Sequence, residues 1–302
     1  MDLSAALPTF VVTLREGFEA ALVVGIVLAC LQKAQQSDLN PWVYRGIGGG
    51  IVASVMVGLL LGGLLHEVTL AQSPYTPVIQ ELLAGMFGLV AIAMLSWMLL
   101  WMTQQAKSIK ADVEGAIKIA LAPDGGAGRG VFLLVFIAVL REGFETVLFI
   151  LAKFQQGWIV PSFGAIAGLL GAAGLGTLLF KWGVKINVRL FFQVMGILLL
   201  LIVGGLVIGV LKEFDAAIAL LAQLDSHYAS WCLLPGDSCL LGFRIWDASA
   251  ILPDRQFPGI LLKSLFGYRQ TLYLLQAVAY LAFLAIVGGF YFRSKSVFKG
   301  SR

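Results

Sequence analysis

Charge is scarce in this chain of 302 residues: Asp, Glu, Lys and Arg make up 13% of it, while 59% is hydrophobic. Soluble domains usually carry about a quarter charged residues, so a water-soluble globular fold is excluded. Histidine is scarcer still, with two copies, and neither His66 nor His227 lies in the middle of an apolar run. A carboxylate-bridged di-iron oxidase needs a Glu-x-x-His pair on each of two helices, so the shortage argues against an enzyme of that kind. The chain has no Gly-x-x-x-x-Gly-Lys loop, and ATP hydrolysis is not expected of it. Of three cysteines, Cys30 ends an apolar run, whereas Cys232 and Cys239 bracket the turn-rich "CLLPGDSC". A disulfide and two unpaired thiols are both open readings of that pair.

What the chain has instead is long apolar runs, at roughly 8–31, 46–66, 78–102, 130–152, 161–182, 190–211 and 270–292. Each is about the 20 residues that a helix needs to cross a bilayer. The expected fold is an all-α integral membrane protein with seven transmembrane helices. The first run has no basic segment before it and is interrupted by Arg15, Glu16 and Glu19, unlike a cleavable signal peptide, so it is expected to be retained. Lys33 and Arg45, the positives of 107–129, Lys181 to Arg189, and the tail from Arg293 fall at alternate span ends. Such a bias marks the cytoplasmic side, which puts the amino terminus outside and the carboxyl terminus inside. The basic excess of 21 Lys and Arg over 17 Asp and Glu therefore reads as topology, not as a nucleic-acid surface.

The hexapeptide "LREGFE" occurs twice, at Leu14–Glu19 and Leu140–Glu145, in spans one and four. Three spans per unit is odd, so the second unit enters from the opposite side. Gly46, Gly50 and Gly58 of span two recur as Gly164, Gly168 and Gly176 of span five. The economical organisation is two inverted three-helix repeats plus a C-terminal helix: 1–106, an amphipathic linker on the inner surface at 107–129, 130–211, an external cap at 212–269, and a seventh span with its tail at 270–302. Within the cap, "EFDAAIALLAQLD" reads as a short interfacial helix. Inverted repeats place binding sites near the bilayer midplane. The glycines at four-residue intervals are packing surfaces for neighbouring helices.

On a helix Glu16 and Glu19 leave the same face, with Arg15 one turn before Glu19, and Arg141, Glu142 and Glu145 repeat the pattern. An ionised side chain at the centre of a membrane helix costs about 2.5–3.5 kcal/mol, so four glutamates are expensive unless neutralised. Two arginines offset half of them, and a bound cation fills the deficit. Carboxylate oxygens suit hard ions such as Fe(III), Mn(II), Mg(II) or Ca(II), and no Cys, Met or His occupies the motif positions to favour softer ones. Gly17 and Gly143, between the glutamates, permit either close helix contact or slight unwinding.

These paired Arg-Glu-Gly-x-Glu motifs in a seven-span chain resemble the high-affinity iron permease family, in its bacterial form. The resemblance covers nearly the whole chain and extends to "IWDASAILPD" and "LFGYRQ" before the last span. It implies iron uptake, usually after a partner ferroxidase or delivery protein has acted. Carried over, Glu16, Glu19, Glu142 and Glu145 bind the ion in transit, supported by Arg15 and Arg141. Phe18 and Phe144 replace the commoner leucine, an apolar exchange. Ala250 stands where fungal members have an acidic residue after "DAS", which leaves Asp247 to inherit a pickup role. Glu81, which matches a carboxylate common in the family, lies either on the ion path or at the interface in contact with water. His66, Glu67, Asp237 and Asp254 are further candidates for first contact. The expected function is import of iron ions across a bacterial inner or plasma membrane, with no organic cofactor; the alternative is another metal, lead or manganese, through the same site.

Overall fold

The computed structural model describes residues 6–70, 74–105, 115, 126–151, 159–185, 187–224, 226–232, 238–254 and 256–297. Six long helices come first: α1 (Ala6–Lys33), α2 (Asn40–Leu70), α3 (Thr76–Gln105), α4 (Ala127–Leu151), α5 (Ile159–Phe180) and α6 (Val188–Leu224). In a bilayer core every backbone N–H and C=O must be satisfied within its own segment, which helices do and loops do not. Pro41, Pro77 and Pro161 each stand in the first turn of a helix, where the missing N–H leaves no bond unmade. Then follow strand β1 (Arg244–Asp247), helix α7 (Gly259–Phe266), strand β2 (Thr271–Tyr273) and helix α8 (Leu274–Phe283), which runs through a wide π-type turn (Leu284–Gly288) into α9 (Gly289–Val297).

Among the described residues, five stretches are long and apolar enough to cross a membrane: Ser37–Leu64, Thr76–Leu100, Ile159–Phe180, Val188–Leu224 and Leu274–Arg293. At 28 and 25 residues, α1 and α4 have the length as well, and differ in carrying the motif charges. Large apolar side chains such as Trp97, Leu59 and Phe163 are more than two-thirds exposed on the outer faces, where lipid is the compatible solvent. The protein is an all-α integral membrane protein with one small antiparallel ribbon.

Helix α1 packs along α5, α2 along α4, and α3 along α6, with α1 also touching α4. Small residues set these distances. A Cβ on Gly17 would stand 2.8 Å from Ala172 Cβ, and one on Gly143 would strike Ser54 Oγ. Close helix contact is therefore the role of both motif glycines, and both motif segments remain α-helical without unwinding. Val11, Val12, Leu95, Leu99, Phe149 and Leu199 join α1, α3, α4 and α6 in the largest core cluster.

Two features differ from the sequence expectation. The segment "EFDAAIALLAQLD" is not a separate helix but the end of α6, which runs unbroken for 37 residues. Nothing between Val210 and Leu224 is Gly or Pro, so no residue there stops it. At about 1.5 Å per residue α6 is roughly 55 Å long, well beyond a hydrocarbon core of about 30 Å. The ribbon is the second feature, because Thr271–Tyr273 is strand before the last helix begins. Its register pairs Arg244 with Tyr273, Trp246 with Leu272 and Asp247 with Thr271.

Side chains tie this cap to α6. Asp215 accepts from Ser238 Oγ at 3.0 Å and from the Leu240 N–H at 2.7 Å, and Cys232 is bonded to Cys239. Asp254 accepts the Gln270 N–H at 2.6 Å, and the Tyr268 hydroxyl donates to Leu252 O at 2.9 Å. Most of the 107–129 linker, with Asp237 in the cap, lies outside the described residues.

Candidate metal site between two charged helices

The motif residues sit near the middle of α1 and α4, where α-helical spacing turns the glutamates toward the neighbouring helix. Arg15 and Glu16 are each 1% exposed. Arg15 Nη1 donates to Glu16 Oε1 at 2.7 Å. Its Nη2 lies 2.8 Å from Glu19 Oε1, a charge contact without hydrogen-bond alignment. On α4, Arg141 Nε donates to Glu145 Oε1 at 3.3 Å. The two halves are unequal, for the Arg141 side chain is 49% exposed.

Across the helix contact, carboxylate oxygens of Glu16, Glu19 and Glu142 lie within 4.8 Å of one another. Glu16 and Glu142 thus face each other as carboxyl groups, and an ionised carboxylate has no proton to donate. Oε2 of each is buried without a donor. Two such groups stay together only with a proton or a cation between them, and orphaned buried oxygens are costly. Glu145 lies beside this group, close enough to interact with Glu16 and Glu19. It also lines a small cavity with Ala91, Met94, Leu95, Leu148 and Phe149.

The other candidates lie apart. Glu81, in the second turn of α3, meets Glu213 of α6 side chain to side chain, and its Oε2 is buried without a donor. Glu213 was not among the sequence candidates. Its partner is 132 positions away, and only the antiparallel packing of α3 on α6 brings them together. Asp247 is on the exposed ribbon, where Arg244 Nη1 donates to Oδ2 at 2.9 Å and the Ser249 N–H to Oδ1 at 3.1 Å. Hydrogen bonds from the Ser249 hydroxyl and backbone, with Arg244 adjacent, hold this carboxyl below its ordinary range. His66 and Glu67 are in the last turns of α2, and their side chains lie outside the described residues.

One contact escapes any motif search. Arg15 Nη1 also donates to Met98 Sδ at 3.1 Å, so α3 brings a sulfur to a cluster whose own motif positions have none.

The model of the iron permease FTR1 family matches residues 6–294. The chain belongs to the iron permease FTR1 family. An uncharacterized protein of Synechocystis is 54% identical over 295 residues, covering 97% of this chain and 95% of that one. The ferrous iron permease EfeU of Escherichia coli O6:K15:H31 is 32% identical over 264 residues, covering 87% and 86%. A K12 relative named a putative inactive ferrous iron permease EfeU is 31% identical over 265 residues, with the same coverage. No solved structure matches. Family membership accords with the charged helices as well as the apolar ones, because the match runs through both copies of the motif.

Proposed function

We propose that this iron permease family member carries iron ions across the membrane through the carboxylate cluster of Glu16, Glu19, Glu142 and Glu145. The observation that carries the reading is the pair of buried, donorless oxygens on Glu16 and Glu142 inside a membrane protein. A cation relieves both at once. Arg15 and Arg141 are supporting charges that leave the site two negative charges in surplus, so a divalent ion neutralises it. One relative is named inactive, whereas both Arg-Glu-Gly-Phe-Glu motifs are complete in this chain.

An inverted repeat accounts for the packing. Exchanging span one with four and two with five turns the α1–α5 contact into the α4–α2 contact. It also turns Gly17 on Ala172 into Gly143 on Ser54, and Gly176 on Ala21 into Gly58 on Val147. This supports seven spans, six in two inverted units and one after, with the cluster between the units. Rocking of one unit on the other would expose it to each side in turn. Loop positives support an amino terminus outside and a cap on the external face, and the bacterial relatives support an inner or plasma membrane.

On that orientation the Glu81–Glu213 pair stands at the outer end of α3 and α6, on the path to the cluster. Asp247, His66 and Glu67 are candidate pickup groups, although both oxygens of Asp247 are already engaged. An extracytoplasmic ferroxidase or delivery protein is the expected partner.

The test is radiolabelled iron uptake into proteoliposomes under oxidant or reductant, comparing the protein with Glu16→Gln and Glu142→Gln at equal membrane abundance. Uptake is expected to vanish in both variants. Unchanged uptake in either would remove that glutamate from the site. Competition by Mn(II) and Pb(II) separates iron from the other metals the same cluster would accept.

A further inference from the structure

Met94, Met98 and Met102 recur every fourth residue of α3, a spacing that lays them along one helix face. The described side chains of the first two reach both halves of the charged cluster. Met98 is 4% exposed, and its sulfur accepts from Arg15 Nη1, the atom that also donates to Glu16 Oε1. Met94 lines the small cavity that Glu145 lines. The Met98 sulfur meets the first motif, and the Met94 side chain shares a cavity wall with Glu145 of the second.

A methionine that only fills space turns its sulfur toward apolar neighbours or an aromatic edge. Met98 instead directs a sulfur lone pair at the guanidinium within the carboxylate group. We propose that Met94 and Met98 are specificity-determining residues, supplying soft sulfur at the edge of the carboxylate site so that it favours borderline transition-metal ions over Ca(II) and Mg(II). The inference rests on the proposed permeation through that cluster and adds the reason for its selectivity.

Carboxylates alone are suited to Ca(II) and Mg(II), which take oxygen ligands. Further carboxylates would raise affinity for every cation without separating them. A thioether is neutral and soft. It replaces water oxygens that a hard ion needs, while a borderline divalent ion such as Fe(II) accepts sulfur. Nothing at the motif positions provides this distinction, and α3 is where sulfur meets the charged groups.

The experiment measures Cd(II) binding to the purified protein, Cd(II) serving as a sulfur-seeking probe, and iron uptake in excess Ca(II). All proteins carry Cys30→Ser, so that the free thiol takes up no Cd(II); they are this parent, Met94→Leu, Met98→Leu, the double variant and Glu16→Gln. Leucine conserves volume, and such exchanges usually cost under about 1.5 kcal/mol. The double variant is expected to lose about tenfold or more in Cd(II) affinity, in the range that supporting groups of metal sites command, and its iron uptake should become sensitive to Ca(II). Cd(II) affinity and Ca(II) resistance both unchanged, with Glu16→Gln abolishing binding, would overturn the role of the thioethers alone. Binding and uptake that survive Glu16→Gln would overturn the carboxylate site and the thioether inference together. If the double variant does not insert, Met98→Leu gives the same readout.

Discussion

Arg15 and Arg141 occupy equivalent places in two copies of one motif and live in different surroundings. Arg15 is buried, with Glu16, Glu19 and Met98 all within 3.1 Å. Arg141 makes a longer contact, 3.3 Å to Glu145, and is half exposed. Removing one partner of a buried ion pair leaves an uncompensated charge and costs about 3–5 kcal/mol. Arg15→Gln is therefore expected to lower stability by that order, and Arg141→Gln by distinctly less. Thermal unfolding of the two variants in the same detergent measures the difference, and equal losses would show that the motifs are equivalent in solution. The identity of these residues was legible in the sequence because charge inside an apolar run is conspicuous. Their inequality was not, because both copies read "LREGFE".

The helices carry a second layer of information in their glycines. Gly50 of α2 faces α4, where an added Cβ would lie 2.8 Å from Val139 Cβ, while Gly48 has nothing within 4 Å. Both are interior positions of one helix, so intrinsic propensity favours alanine over glycine equally at each, by up to about 1 kcal/mol. Gly48→Ala should be neutral or mildly stabilising, whereas Gly50→Ala should cost about 1–3 kcal/mol through overpacking. Denaturation midpoints of the two variants decide it, and a harmless Gly50→Ala would mean that α2 and α4 can separate freely. Sequence spacing marked glycines as packing surfaces without saying which one touches which helix. The extension of α6 to Leu224 was hidden for another reason: its final turns carry Glu213 and Asp215, so hydropathy ends where the helix does not.

At the scale of the whole molecule, the cap is held by hydrogen bonds to α6, by the β1–β2 ribbon and by the Cys232–Cys239 bond. Cys30 is a free thiol near the opposite end of α1 from Ala6. The proposed orientation yields a labelling pattern. A membrane-impermeant maleimide added outside intact cells should miss Cys30, and should reach Cys232 and Cys239 after a mild impermeant reductant. Labelling of Cys30 from outside would reverse the topology. A disulfide persists on the oxidising side of a membrane, so the Cys232–Cys239 bond supports the proposed external cap by a physical route separate from the positive-charge bias.

That this protein lives in a membrane, that its long segments are helices and that two of them bear a duplicated charged motif can all be read from the residues in order. Those properties follow from hydropathy and local spacing, which act within about 20 residues. Packing between distant segments is what brings Glu16 to Glu142 with no donor on either Oε2, Glu81 to Glu213, and the Met98 sulfur to Arg15. Each of these pairs joins residues more than 80 positions apart, and no local rule speaks to them. They are set by which helices pack side by side, α1 on α4, α3 on α6 and α3 beside α1, and the chemistry of the site follows from that packing.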